Sequence, residues 1–226
     1  MSFNHDEIKM PKNVQTILYI ILMLDGSGST HGQANHDLNE ALKRFLIQIK
    51  ENHKMRQSIE ISIVEFNSDA HILLESQLAA DIDQMPEVNA EGGTEMQAGI
   101  EMALDLVTKR KQEYRELGMS YHRPLLLLLT DGEPNTKNGL TELAERIRID
   151  TTNKKYSFLG FGIGDQADMT VIQNLNGYVD GKQMPALKIS DSTHLGDFVD
   201  WLSRSVSRDP NDVAEAVKDW KQGFTV

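Results

Sequence analysis

The chain has 226 residues, a formal net charge of −11 at pH 7 and no cysteine. The acidic balance argues against nucleic-acid binding, which depends on Lys and Arg neutralising phosphates. The missing thiols exclude disulfides and thiolate metal ligands and fit a reducing compartment.

At roughly 100–200 residues per domain, this length allows one domain or two. Met1 to Lys12 is polar and mixed in charge, with no basic stretch leading into an apolar run. No secretory signal is expected from it, and it reads as a tail over 1–12. The longest apolar run, Ile17 to Leu24, has eight residues. Roughly 20 are needed to span a bilayer, so no membrane insertion is expected and a cytoplasmic location is.

Two apolar runs dominate. Ile17–Leu24 ends at Asp25, and Leu125–Leu129 ends at Thr130-Asp131. Neither alternates apolar with polar, and both are short for buried helices. Such runs suit strands buried on both faces, as in a parallel sheet covered by helices. Between them, Asn35–Lys50 places Leu38, Leu42, Phe45, Leu46 and Ile49 on one helical face. Ser58–Phe66 reads as a strand, and Ala70–Leu74 as a short antiparallel edge strand after the turn at Asn67-Ser68-Asp69. Thr94–Arg115 is the longest helical pattern, with Gly92-Gly93 before it and Thr94 as its expected N-cap.

Further helices are expected over Leu140–Ile149, Met169–Leu175 (with Asp168 as cap) and Thr193–Val206. Strands are expected over Tyr156–Ile163 and Ala186–Ile189. Periodicity fades from Ser207, so 208–226 reads as a second tail around a single domain over 13–207. Strands alternating with helices define a doubly wound α/β fold: a mostly parallel sheet, one short antiparallel edge strand, and helices on both faces in three layers. Lys109-Arg110-Lys111 is flanked by Glu113 and Glu116 and is expected to be a solvated helix face.

In an open α/β sheet, ligands bind outside the carboxyl ends of the strands, where the strand order reverses. That rule selects Asp25-Gly26-Ser27-Gly28-Ser29-Thr30 and Thr130-Asp131-Gly132-Glu133-Pro134. Both loops offer carboxylates and hydroxyls, hard ligands that select Mg²⁺, Mn²⁺ or Ca²⁺ over softer metals. Asp25, Ser27 and Ser29 have i, i+2, i+4 spacing, which turns alternate side chains toward one point.

This DxSxS pattern resembles the opening of the metal-ion-dependent adhesion site of the von Willebrand factor A domain. The resemblance implies that Thr94, in Gly92-Gly93-Thr94, and Asp131, in Leu129-Thr130-Asp131-Gly132, complete the metal ligand set. It runs from about residue 13 to 207. Within the family the chain resembles the TerY-type bacterial proteins of tellurium-resistance operons. That likeness rests on Leu38-Asn39-Glu40-Ala41-Leu42, Ala90-Glu91-Gly92-Gly93-Thr94, Ser120-Tyr121-His122-Arg123-Pro124 and Leu129-Thr130-Asp131-Gly132-Glu133-Pro134. One departure is Gly26, where many members carry a side chain. The position is not a ligand in the family, and a more flexible loop is expected from the glycine.

The resemblance implies a bound divalent cation, Mg²⁺ first with Mn²⁺ or Ca²⁺ as alternatives, completed by an Asp or Glu of a protein partner. It implies a non-enzymatic binding module in a bacterial tellurite-response, stress-response or phospho-signalling complex. The alternatives are a metal-dependent phosphohydrolase-type enzyme and a structural domain whose metal only steadies its loops. The nucleophile-elbow and P-loop frames are absent, and Ser27 stands where a phosphotransferase would carry its second Asp. Taken singly, Asp25 and Asp131 read as turn or cap residues, as do Gly164-Asp165 and Asp168. His31, His36 and Glu133 read as surface residues, and Met96 and Met102 as core.

Overall fold

The computed structural model describes residues 15–131, 133–164, 167–189 and 192–208. The expected tails fall outside them, apart from Arg208, which closes the last helix.

Strand β1 (Leu18–Asp25) is buried at every position. It pairs in parallel with β2 (Ile59–Phe66) on one side and with β4 (Leu125–Thr130) on the other. β5 (Ser157–Ile163) and the three-residue β8 (Leu187–Ile189) extend the sheet beyond β4. β3 (Ala70–Leu78) lies antiparallel on β2 at the opposite edge. The strand order is β3-β2-β1-β4-β5-β8. The strand order therefore reverses between β1 and β4.

The two faces of β1 explain its unbroken apolar run. Leu18, Ile20, Leu22 and Leu24 pack with α1 (Gln33–Glu51), α2 (His53–Ser58) and α6 (Ser192–Arg208). Tyr19, Ile21 and Met23 pack with α3 (Met96–Glu116), α4 (Leu140–Thr152) and α5 (Met169–Leu175). The leucines of β4 divide between the same two cores. Adjacent residues of a strand point to opposite faces, so a sheet covered on both sides needs apolar residues at each position. On the α6 side, Phe161 stacks against Phe198 with ring centroids 4.6 Å apart.

The three-layer doubly wound architecture is as expected, with differences in detail. The antiparallel edge strand is nine residues long rather than a short piece. Its pairing with β2 is irregular near Ile61 and Ile63, and such bulges let a strand run on while its alternation is broken. Two elements were not expected. α2 is a short helix capped by Asn52, whose side chain accepts from the Lys54 and Met55 N–H groups. β6 (Tyr178–Val179) and β7 (Lys182–Gln183) form a small hairpin turned by Asp180 and Gly181, both at positive φ.

α3 starts at Met96, and Thr94 is not its cap. Thr94 N–H donates to Asn135 Oδ1 at 3.0 Å, and Asn135 N–H donates to the Thr94 carbonyl at 3.1 Å. Glu95 N–H is taken by the Asn67 carbonyl at 2.7 Å. These tertiary bonds satisfy the backbone that a helix start would otherwise have to cap. The basic triplet on α3 also differs from a uniform solvated face. Lys109 is exposed, but Arg110 is half-buried against Glu60 and the Tyr114 ring, and Lys111 donates to the Lys155 carbonyl. No helix among the described residues is long and apolar enough to cross a membrane.

Candidate metal centre

The carboxyl ends of β1 and β4 lie side by side because Leu24 pairs with Leu129. One residue further on, Asp25 and Thr130 face each other, and Thr130 Oγ1 donates to Asp25 Oδ2. Asp25 Oδ1 accepts from the Ser27 N–H at 2.9 Å. That short-range bond closes an Asx-type turn, the usual way an Asp redirects chain leaving a strand. Gly28–Thr30 then forms a single 3-10 turn.

The turn aims the two serine hydroxyls at the next strand end. Ser27 Oγ and Ser29 Oγ are 2.8 Å apart, and Ser29 Oγ donates to Asp131 Oδ2. Asp25, Ser27, Ser29 and Asp131 thus form one continuous chain of oxygen contacts drawn from two strand ends. Asp25 and Ser27 are only 1% and 2% exposed, whereas Ser29 opens to solvent.

Thr94 arrives on a third segment. Gly28 N–H donates to the Gly92 carbonyl at 3.1 Å, and Glu91 N–H donates to the Gly26 carbonyl at 2.8 Å. These bonds clamp 91–92 to the serine loop, and Gly93 N–H is held by Ser68 Oγ at 3.0 Å. Thr94 is itself buried and is fixed through its backbone to Asn135. Asp168, on a fourth strand-end loop, caps α5 by accepting from the Thr170 and Val171 N–H groups. Its own N–H holds the Asp131 carbonyl at 2.9 Å.

Electrostatically, Asp25 is under load. Burial pushes its carboxyl above the ordinary carboxylate value, and the charge of Asp131 adds to that push. The hydrogen bonds from Ser27 and Thr130 oppose it. Two carboxylates and neutral hydroxyls facing one another at a low-dielectric strand end form a hard-oxygen set with surplus negative charge. That donor chemistry fits a divalent cation of the Mg²⁺ type. Among the described residues no group of three or more His, Cys, Asp or Glu is gathered as a metal site. Of the five ligands expected from sequence, Ser27, Ser29 and Thr94 offer hydroxyls and only Asp25 and Asp131 offer carboxylates.

Several structural partners were not singled out from sequence. Thr130 is the clearest, and its signal was a lone hydroxyl at the end of an all-leucine strand. Asn135 and Glu65 support the loops from behind and carry no local motif. His31, His36 and Glu133 are exposed, as expected, and Met96 is core. Asp165 and Gly132 lie outside the described residues. Gly26 is not a loose point of the loop, because a Cβ built there would lie 2.8 Å from both Asn89 O and Glu65 Oε1.

A doubly wound sheet with an oxygen-rich rim at its switch point defines a class of α/β binding domains. The chain belongs to the von Willebrand factor type A domain family, whose model matches residues 20–201. It is 25% identical to mouse inter-alpha-trypsin inhibitor heavy chain 4 over 93% of its own length and 23% of that protein's. It is 24% identical to an uncharacterized Synechocystis protein over 78% of this chain and 39% of that one. The chain therefore spans well under half the length of these curated relatives.

Among solved structures, the fold is similar to a von Willebrand factor type A protein from Catenulispora acidiphila. The TM-score is 0.64 at 16% identity, covering 84% of this chain and 42% of that one. The SpaC pilus adhesin of Lactobacillus rhamnosus GG matches with a TM-score of 0.63 at 13% identity, covering 88% and 30%. Domains of this family are commonly protein-interaction or adhesion modules.

Proposed function

We propose that the chain is a metal-dependent protein-binding module. Asp25, Ser27, Ser29, Thr94 and Asp131 would hold one divalent cation, Mg²⁺ first and Mn²⁺ or Ca²⁺ as alternatives. When bound, the cation supplies a Lewis-acidic point at which an outside carboxylate, an Asp or Glu of a protein partner, is held. The observation that carries this reading is the contact chain from buried Asp25 through Ser27 and Ser29 to Asp131. It joins two carboxylates from separate strands through neutral hydroxyls, and a cation offsets the mutual repulsion that those carboxylates suffer.

The protein's own groups have distinct parts in this scheme. Thr130 and the Ser27 N–H fix the Asp25 carboxylate. Ser29 is the exposed member of the chain and stands where an incoming ligand would approach. Backbone bonds strap residues 91 and 92 to the serine loop, which supports a part for Thr94, two residues on, whose hydroxyl would join the set. With only two carboxylates in the set, little anionic charge blunts the cation, and an outside carboxylate remains attractive to it. The likeness to TerY-type proteins supports a setting in a bacterial, cytoplasmic tellurite- or stress-response or phospho-signalling complex.

Isothermal titration with Mg²⁺, Mn²⁺ and Ca²⁺ tests the site. Wild-type chain should give one-site binding that Asp25→Ala loses. Affinity capture of partners with and without EDTA tests the role. Partners that stay bound in EDTA and to Asp25→Ala would count against a metal-bridged interaction.

A further inference from the structure

Glu65 is an acidic residue in a strand whose residues are all buried. It follows Ile59, Ile61 and Ile63 on the β2 face that meets the α1 and α6 core, and it is 2% exposed. A carboxylate placed there needs partners, since an unpaired buried charge is costly. Asn89 and His71 supply them. Oε1 accepts from the Asn89 N–H at 2.7 Å, and Oε2 faces His71 Nε2 at 3.2 Å.

The Asn89 bond is the first of a series. Asn89 N–H goes to Glu65, Glu91 N–H goes to Gly26 O, and Gly92 O receives Gly28 N–H. Gly93 N–H and Thr94 N–H follow, to Ser68 and Asn135. Glu65 therefore anchors the root of the strap that ends at Thr94. It also touches the other loop. Gly26 is not in the left-handed backbone region, so nothing in its conformation demands glycine. Its closeness to neighbours does: the Glu65 carboxylate and the Asn89 carbonyl fill the volume of a side chain at 26.

We propose that Glu65 is a positioning residue of the metal centre: its carboxylate takes the space vacated at Gly26 and ties the Thr94 segment to the loop of Asp25, Ser27 and Ser29. This assignment rests on the metal-binding reading above. Glu65 and Gly26 are one device, in which the small residue on the loop makes room for the acidic tie behind it.

The test is Mn²⁺ titration calorimetry on the full chain, with thermal unfolding in parallel. Glu65→Ala is expected to weaken Mn²⁺ binding by about tenfold, the lower end of what loss of an outer support of a metal site costs. Glu65→Gln keeps an oxygen for Asn89 N–H and should bind close to wild type, whereas Glu65→Asp is too short to reach and should weaken like Ala. Gly26→Ala should cost binding in wild type and cost less in the Glu65→Ala background, a coupling expected of groups in contact. If Glu65→Ala does not fold, the Gln and Asp variants supply the same comparison. Wild type that binds while Glu65→Ala and Glu65→Asp bind as tightly, with only unfolding temperature lowered, overturns the assignment alone. Wild type that gives no binding heat overturns the metal reading and the assignment with it.

Discussion

The Thr130 hydroxyl donates to Asp25 Oδ2 across the parallel pair β1–β4. Both residues are essentially without solvent contact, so water cannot replace the bond. Thr130→Val should cost about 1–3 kcal/mol, the usual penalty for leaving a buried polar group short of a partner. Thr130→Ser should recover most of it. Urea unfolding of the metal-free chain measures the loss, and a stability of Thr130→Val equal to wild type would show that the bond contributes nothing.

Asp25 is costly to the metal-free chain. Its folded carboxyl titrates above the ordinary value of 3.8, chiefly because of burial and to a lesser degree because of the neighbouring Asp131 charge. The folded chain therefore holds this proton when the unfolded chain has released it. This group's contribution to stability is greatest below 3.8 and declines as pH rises through the folded value. Asp25→Asn removes that decline. It should raise the neutral-pH unfolding temperature of the chain in EDTA while abolishing stabilisation by added Mn²⁺. A lowered temperature in EDTA would contradict the electrostatic account.

At the other end of β2, Glu60 accepts from Tyr114 and Ser76 and pairs with Arg110, which also covers the Tyr114 ring at 4.8 Å. Glu60 is opposite Tyr19, near the start of β1. Removing Arg110 strands a buried carboxylate, and Arg110→Met should destabilise by about 3 kcal/mol. The cluster is on the order of 20 Å from the loop at Asp25 at strand rise. Metal affinity of the folded variant should therefore match wild type.

Asp168 is held below the ordinary carboxylate range by hydrogen bonding to the Val171 N–H, with Lys137 assisting. Its contribution is present above 3.8 and lost as pH falls through the lower folded value. Asp168→Ala should cost about 1 kcal/mol at neutral pH, the size of a lost N-cap, and Asp168→Asn much less. The gap between wild type and Asp168→Ala should close in acid, which denaturant titrations at descending pH will read.

The elements most legible in the sequence were those whose burial leaves a one-dimensional trace. β1 and β4 are unbroken apolar runs because both of their faces are covered, and α5 came through with its Asp168 cap intact. The β6–β7 hairpin escaped because two-residue strands carry no periodicity, although Asp180-Gly181 is a turn pair suited to positive φ at both positions. The Thr94 cap failed because Asn135 and Asn67 already satisfy that backbone from distant parts of the chain.

The candidate site divides the same way. Asp25, Ser27 and Ser29 share one loop and are visible as spacing. Asp131 stands out as a carboxylate at a strand end, but its membership of one ligand set, like that of Thr94, comes only through family likeness. Thr130 and Glu65 act across strands, where sequence distance hides the contact. A buried glutamate in a strand of isoleucines and one valine looks like an ordinary strand residue until its neighbour at Gly26 is seen.

The oxygen chain at the rim also has a place in time. Asp25 is made before Asp131, and Asp131 cannot meet Ser29 until β4 has been made and paired with β1. A nascent chain ending before β4 carries the serine loop with no second carboxylate opposite it. The proposed docking point would thus be withheld until the centre of the sheet has closed, and a half-made domain would lack the paired carboxylates that the proposal gives to the cation.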